Sequence, residues 1–347
     1  MPETLTTRAA ILREIGKPLT IETLTLPELK PGQALVKMKL AGVCHSQRIE
    51  ASGGRGPDRF LPHLMGHEGV GEVLAVGSEN SKVAVGDQVV LSWLRGSGVD
   101  GGGVHYTIGD EVVNAGPIAT FCDTPIVSEV CITKIDSSVE AAAAVLAGCA
   151  LPTGAGTVWN AAPAQKDGSV CIIGAGGVGL AALSGAVQAG WGTIVGVDVK
   201  PMRLDRAKEI GATHVIDASR EDVAEAAKKI TDGSGFDLVL ECAGTQKTME
   251  SAIPLAGRRG TVVIVGNLAK GKKIQVDPFD LIAGRTLRGS WGGWINPDQD
   301  IERFVRMSVE GELPYQPLLG KRFSLDRVNE ALDALLGDEP GRPLIEF

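Results

Sequence analysis

Residues 169–198 read SVCIIGAGGVGLAALSGAVQAGWGTIVGVD. An apolar run leads into a glycine-rich turn, a charge-free stretch of helical length follows, and a second apolar run ends on a carboxylate. That is a strand, a helix and a strand. The turn Gly174-Ala175-Gly176-Gly177-Val178-Gly179 fits G-x-G-x-x-G. In a chain with 46 glycines the pattern alone says little, and its context decides. It follows a strand, opens a helix, and is answered 19 residues after Gly179 by Asp198 at the end of the next strand. Gly174 permits the tight turn, Gly176 lets backbone amides approach a pyrophosphate, and Gly179 lets helix and strand pack closely, while the helix N-terminus supplies positive potential. Asp198 would accept hydrogen bonds from adenosine ribose hydroxyls and repel a 2'-phosphate. NAD(H) is expected over NADP(H), with Lys200 and Arg203 nearby as the opposing signal.

Downstream the same rhythm continues: PMRLDRAKEIGA, HVIDA, a charged helix near 220–231, FDLVLECAG, a helix near 246–256 and TVVIVG. Repeated strand and helix units of this length require a parallel sheet with right-handed crossovers, the doubly wound architecture. Upstream, residues 1 to about 150 show short alternating apolar runs such as ALVKMKLAGV, GVGEVLAVG and DQVVLSW, separated by Gly, Pro and charges. These predict a twisted, largely antiparallel β region. After about residue 290 the signal is mixed, with helices at 298–310 and 325–337 and a final short strand. The expected fold is therefore α/β, with a dinucleotide domain (152–292) inserted into a β-rich domain (1–151 and 293–347).

The chain has 347 residues, net charge -8 from 34 basic and 42 acidic side chains, and only 4% aromatic residues. With no Lys/Arg cluster, neither nucleic acid nor an anionic membrane is an expected partner. The N-terminal MPETLTTRAAILREIGKPL has scattered charges and no apolar core of a secretory signal, so a cytoplasmic setting is expected. Ala141–Gln165 and Ser169–Val197 carry no Asp, Glu, Lys or Arg, yet Gly, Pro, Asn or Gln break them, and buried α/β core is the better reading than bilayer. Six dispersed Cys (44, 122, 131, 149, 171, 242) form no C-x-x-C pair, so each is expected to be a core thiol or a ligand.

Three segments in the β-rich half carry metal-ligating residue types: Gly42-Val43-Cys44-His45-Ser46, Gly66-His67-Glu68-Gly69 and Gly148-Cys149-Ala150. Cys44 and His67 lie 23 apart and Cys149 82 further on, so generic zinc spacing does not connect them. Together with GHEGVGEVLAVG followed by VGDQVV, the GC…PTGAGT segment, GAGGVGL, GVD and GRTLRGSWGGW, however, the chain resembles the medium-chain, zinc-dependent alcohol dehydrogenase family over nearly its whole length. The resemblance implies a GroES-like catalytic domain around an inserted Rossmann domain. It implies one catalytic Zn2+ per subunit held by Cys44, His67 and Cys149, with Glu68 as an alternate fourth ligand or an outer carboxylate. Two thiolates, an imidazole and an exchangeable position suit a catalytic zinc. Zinc would polarise an alcohol or carbonyl oxygen while hydride passes to or from nicotinamide C4. Ser46 would accept the hydroxyl proton. His45 and Arg342 are implied on the pyrophosphate, Thr153 and Val178 at the nicotinamide, Arg203 beside the adenosine, Gly177 in the cofactor turn, and Trp93 in the substrate pocket. The segment Gly53–His63, the loop around Gly98–Gly116, and Trp291 with Trp294 are expected to help shape that pocket. A homodimer or homotetramer and a small alcohol, aldehyde or ketone substrate, neutral rather than anionic, complete the expectation.

The pattern breaks twice. Many family members carry a structural zinc on four close Cys after this Trp, whereas GSGVDGGGVHYTIGDEVVNAG has none. No structural zinc is expected, Cys122 and Cys131 should be buried thiols, and the Gly-rich loop puts the rigidity of this lobe in doubt. Second, Gln47 and Ile49 stand where Asp and a proton-relaying His are common. Proton release from Ser46 through the ribose and water, with no histidine signature in the pH profile, is the expectation. Two alternatives stay open: a zinc-free NADPH-dependent quinone or enoyl reductase of the same superfamily, and a non-catalytic nucleotide-binding protein.

Overall fold

Six parallel strands build on the quoted stretch. In spatial order they are His214–Asp217, Thr193–Asp198, Ser169–Ile173, Phe236–Glu241, Ala256–Ile264 and Thr286–Gly289. Counted along the chain this is 3-2-1-4-5-6, the doubly wound order, which reverses between Ser169–Ile173 and Phe236–Glu241. The computed structural model describes residues 5–347. Gly174 adopts φ 95, and a Cβ on Gly179 would stand 1.7 Å from the Gly174 carbonyl oxygen. Both glycines are sterically required, which is why the motif could be read locally. The helix Gly177–Ala189 starts there and ends at Gly190 in the left-handed region. Asp222 caps Val223–Ile230 by accepting from the amides of Ala224 and Glu225, and Thr245 caps Gln246–Leu255.

The N-terminal half forms a closed barrel (Thr6–Leu12, Thr20–Thr25, Val104–Ile108, Glu111–Ala115 and His63–Leu64) and a second sheet. In that sheet Gln33–Gly42 pairs antiparallel with Glu68–Val76, and Glu68–Val76 with Gln88–Ser92. The C-terminal strand Arg342–Glu346 returns to pair with Gln33–Gly42, with Leu344 opposite Gly42. The parallel unit is thus an insertion in a mixed α/β chain: a Rossmann-like sheet within a GroES-like β-rich frame. One apolar core joins the two parts, from Leu40, Val70 and Val90 through Ala150 and Leu151 to Leu180 and Leu240.

Among the described residues no single helix is long and apolar enough to cross a membrane; Ala141–Gly148 and Pro152–Ala161 pass only as a pair bent by 51°. Val145, Leu146 and Val158 of that pair, and Leu151 between the two, are fully buried in the core. All six cysteines are free, and burial pushes the Cys131 thiol up to about 12. Cys122 and Cys131 both sit in apolar clusters.

Candidate metal centre and nucleotide cleft

Antiparallel register brings the first two candidate ligands together. Ala41 lies opposite Gly69, so Cys44, just past the end of one strand, and His67, just before the start of its partner, meet at the same end of the ladder. The third arrives through a side-chain tether: Glu68 pairs with Ser92, and the Ser92 hydroxyl donates to the Gly148 carbonyl at 2.7 Å, setting Cys149 beside them. A Cβ on Gly148 would lie 2.4 Å from the Leu91 carbonyl oxygen, so only glycine allows this approach. Gln47, read as a departure, accepts from the Cys44 backbone amide at 2.8 Å and so orients the first ligand. Cys44-x-x-Gln47 is a helix-capping spacing, and that signal could have found it.

The ligand atoms of Cys44, His67 and Cys149 all lie within 4.8 Å of one another. A tetrahedral zinc with bonds of about 2.0–2.3 Å needs its ligands roughly 3.5 Å apart, so two thiols and an imidazole so placed fit the ion. The Cys44 thiol is held well below its ordinary pKa, first by the hydrogen bond with the Cys149 thiol, against burial, with Arg342 and His67 adding to the lowering. The Cys149 thiol, facing Cys44 in a buried site, is pushed the other way. Glu68 stands outside this trio. Its fully buried carboxylate faces Arg342, with Oε1 at 3.1 Å from Nε, and burial raises its pKa despite that cation. The outer-carboxylate role is the one this arrangement serves, because direct ligation would require Glu68 to leave Arg342. Arg342, read from sequence as a pyrophosphate contact, is 3% exposed, and its Nη2 lies 3.8 Å from Cys149 Sγ. It also packs under the nucleotide turn, since a Cβ on Gly177 would stand 3.2 Å from its Nε. It therefore links the thiol cluster to the cofactor turn, a link the sequence did not reveal.

A continuous cleft of ≈ 1430 Å³ joins this cluster to the glycine turn. His45, Thr153, Gly174, Gly176, Gly177, Val178, Asp198 and Arg203 all line it, as do Ser46 and Trp93. A Cβ on Gly176 would meet nothing within 4 Å, so the turn faces open space, and the Thr153 hydroxyl is buried with no hydrogen-bond partner. An open turn and an orphan hydroxyl fit a dinucleotide. Asp198 accepts from the amides of Ala175 (2.7 Å), Val199 and Lys200. Ser46 is buried in the first turn of the helix His45–Ala51. Trp93 meets Trp291 edge-on, centroids 5.0 Å apart, and Trp291 is 76% exposed. Trp294 is a correction: it does not line the cleft, because its ring lies beneath the Arg288 guanidinium at 3.9 Å.

Residues 30–157 match the family model described as alcohol dehydrogenase GroES-like domain, and residues 177–310 the one described as zinc-binding dehydrogenase. The S-(hydroxymethyl)glutathione dehydrogenase of Synechocystis sp. is 31% identical, over 98% of this chain and 99% of its own. This chain belongs to the medium-chain zinc-binding alcohol dehydrogenase family. Among solved structures, an alcohol dehydrogenase zinc-binding domain protein from Burkholderia ambifaria superposes with a TM-score of 0.90 at 30% identity, covering 99% of this chain and 100% of that one. Benzyl alcohol dehydrogenase from Acinetobacter calcoaceticus gives 0.88 at 29%, covering 99% of each. The protein is an oxidoreductase of this alcohol dehydrogenase family.

As a member of the family it organises its cysteine-free lobe by other means. The stretch expected as a loose Gly-rich loop contains the hairpin Val104–Ile108 and Glu111–Ala115, which closes the barrel. The segment before it is anchored by Glu129, a fully buried carboxylate that accepts from the amides of Ser81, Lys82 and Val99 at 2.5, 2.6 and 2.6 Å. Asp298 accepts from the Ser97 amide at 2.7 Å and pairs with Lys82. Carboxylates thus hold this segment. Of the Gly53–His63 segment, Arg55, Asp58, Phe60 and His63 reach the cleft, as do Gly103, His105 and Asn114 of the altered lobe.

Proposed function

We propose that this alcohol dehydrogenase family member interconverts a neutral alcohol and its carbonyl compound with NAD(H), at one catalytic zinc per chain. The observation that carries the reading is the convergence of Cys44, His67 and Cys149 in the same cleft as the open glycine turn. Cys44, His67 and Cys149 would hold the ion. When bound, zinc supplies Lewis acidity toward the substrate oxygen and nicotinamide supplies the hydride acceptor. The chain's own residues do the rest. Ser46, two positions past Cys44, takes the proton of the substrate hydroxyl. Thr153 and Val178 flank the nicotinamide, His45 faces the pyrophosphate, and the Trp93–Trp291 pair offers an apolar wall that suits an aryl or alkyl group.

NAD(H) is favoured over NADP(H) because both nearby cations are already engaged. Lys200 Nζ donates to the carbonyls of Leu336 and Gly337 and pairs with Asp338, and Arg203 Nη2 donates to the carbonyls of Leu335 and Gly337. Neither is free for a 2'-phosphate that Asp198 repels. Asp198→Asn keeps the shape, and the ratio of kcat/KM for NAD+ over NADP+ is expected to fall by about a hundredfold, as relief of a close like-charge contact worth a few kcal/mol would give. Steady-state kinetics with both cofactors checks this; an unchanged ratio would place the selectivity elsewhere.

A homo-oligomer through the nucleotide domains is part of the same proposal. It is supported by the edge strand Thr286–Gly289 and by exposed Phe279 (68%) and Ile282 (77%) beside it. Light scattering on the purified protein reads it directly. A reducing, cytoplasmic setting suits six free thiols.

The deciding experiment pairs elemental mass spectrometry, on protein purified without added zinc, with NADH formation on a panel of alcohols. About one zinc per chain together with turnover of neutral alcohols is expected. NADH binding without metal, NADPH oxidation by a quinone, or turnover confined to anionic alcohols would overturn the corresponding part of the reading.

A further inference from the structure

Oxidation of an alcohol by NAD+ releases one proton per hydride, and the residue one turn along from Ser46 faces an unassigned acid–base cluster. Ser46 and Glu50 stand four apart on the helix His45–Ala51, on one face with Cβ atoms about 5–6 Å apart, and both line the cleft. Across from Glu50 lies His63, 7% exposed, on the barrel strand His63–Leu64. Its Nε2 is 2.8 Å from Asp58 Oδ2 and 3.9 Å from Glu50 Oε1. Its Nδ1 is 2.9 Å from the Leu64 carbonyl oxygen. A carbonyl can only accept, so Nδ1 carries hydrogen, and Nε2 and Asp58 must share a second proton. Asp58 is itself held by the Phe60 amide, which donates to Oδ1 at 2.8 Å. The cluster therefore stores one exchangeable proton in a fixed geometry beside the reacting end of the cleft.

We propose that Glu50 and the His63–Asp58 pair carry the substrate's proton to solvent, in place of the titratable side chain that Ile49 cannot be. The inference rests on the alcohol dehydrogenase reading above. The alcohol proton moves to Ser46 Oγ as the hydroxyl proton of Ser46 leaves, through a bridging water, for the Glu50 carboxylate. Glu50 hands a proton to the His63–Asp58 pair, which releases one to bulk water at the half-buried Asp58. The balance is one proton to solvent for each hydride delivered to NAD+. The other charges around the pair are few. Arg55 lies 3.4 Å from Glu50, His105 is bonded to Asn114 on the neighbouring strand, and Arg13, beyond Leu12, is engaged by Glu22 and Glu111. In this proposal the relay is histidine-dependent after all, through His63 rather than through position 49.

The test measures kcat and KM for alcohol oxidation against pH in the zinc-loaded wild type, His63→Gln and Glu50→Gln. His63→Gln should lower kcat by about tenfold to a hundredfold at neutral pH, with KM little changed and the rate restored by imidazole buffer. Glu50→Gln, at a partly exposed position with little bearing on folding, should lower kcat in the same pH range. Variants with the wild-type profile, or a rate loss that imidazole does not restore, overturn the proposal while leaving the dehydrogenase reading intact. A wild type that oxidises no alcohol with NAD+ overturns both.

Discussion

Cys149→Ala is expected to retain almost no zinc and to lose at least about a thousandfold in kcat/KM for alcohol oxidation, on the order of 4 kcal/mol of transition-state stabilisation. The physical reason is the ligand count. Removing Sγ leaves Cys44 and His67 as the convergent ligands, and Glu68 cannot fill the gap while its carboxylate is paired with Arg342. Losing an outer-shell partner already costs a metal site about 10–100-fold, and a direct ligand costs more. The fold should survive, because Cys149 is a small buried side chain whose loop is held by the backbone. Ser92 bonds the Gly148 carbonyl, and the Cys149 carbonyl accepts from the Thr153 amide at 3.0 Å. Elemental analysis, steady-state kinetics and NADH binding measured on the same preparation separate the cases. Zinc lost with NADH binding kept is the expected result; zinc and rate both retained would mean that the metal sits elsewhere. Cys122→Ala, buried in the barrel and not lining the cleft, serves as the control and should leave zinc and rate unchanged.

Glu129→Ala should destabilise the protein by about 3 kcal/mol, lowering Tm by about 6 °C. One carboxylate there accepts from three backbone amides drawn from two separate segments, and no side chain could take over all three bonds. The effect carries a pH signature. Burial raises the Glu129 pKa, but the amides of Val99, Ser81 and Lys82 outweigh it, so the carboxyl titrates below the ordinary glutamate value. A depressed folded pKa contributes stability that is fully present above the unfolded value and is lost as pH falls through the folded one. Wild type should therefore lose part of its stability below about pH 4, and Glu129→Gln should show a flatter acid limb in thermal melts. Equal acid limbs would show that the segment is held without this charge. Added zinc should rescue neither variant, since hydrogen bonds to Glu129 hold the segment.

The nucleotide half was legible in the sequence because its determinants are local. Steric necessity at Gly174 and Gly179, apolar runs of strand length and a carboxylate at a strand end are all properties of consecutive residues, and the structure realises them in that order. The antiparallel character of the first half was legible from alternation for the same reason. The ligand set was different in kind. Cys44, His67 and Cys149 came from a family resemblance, since their separations carry no local signal and their meeting depends on sheet register at Ala41 and Gly69 and on the Ser92 tether. Sequence also marked Gln47, Ile49 and the missing cysteines as departures, without saying what stands in for them.

Two electrostatic contacts were decided by tertiary structure alone. Arg342 lies 274 positions from Glu68 yet pairs with it, because the C-terminal strand closes the same sheet. Glu129 reaches three amides that lie 30 to 48 positions away. Each is a long-range contact of a buried charge, fixed by where strands cross rather than by neighbours in the chain. Local sterics and periodicity set the elements, whereas the electrostatic contacts inside the cleft exist only once those elements have packed.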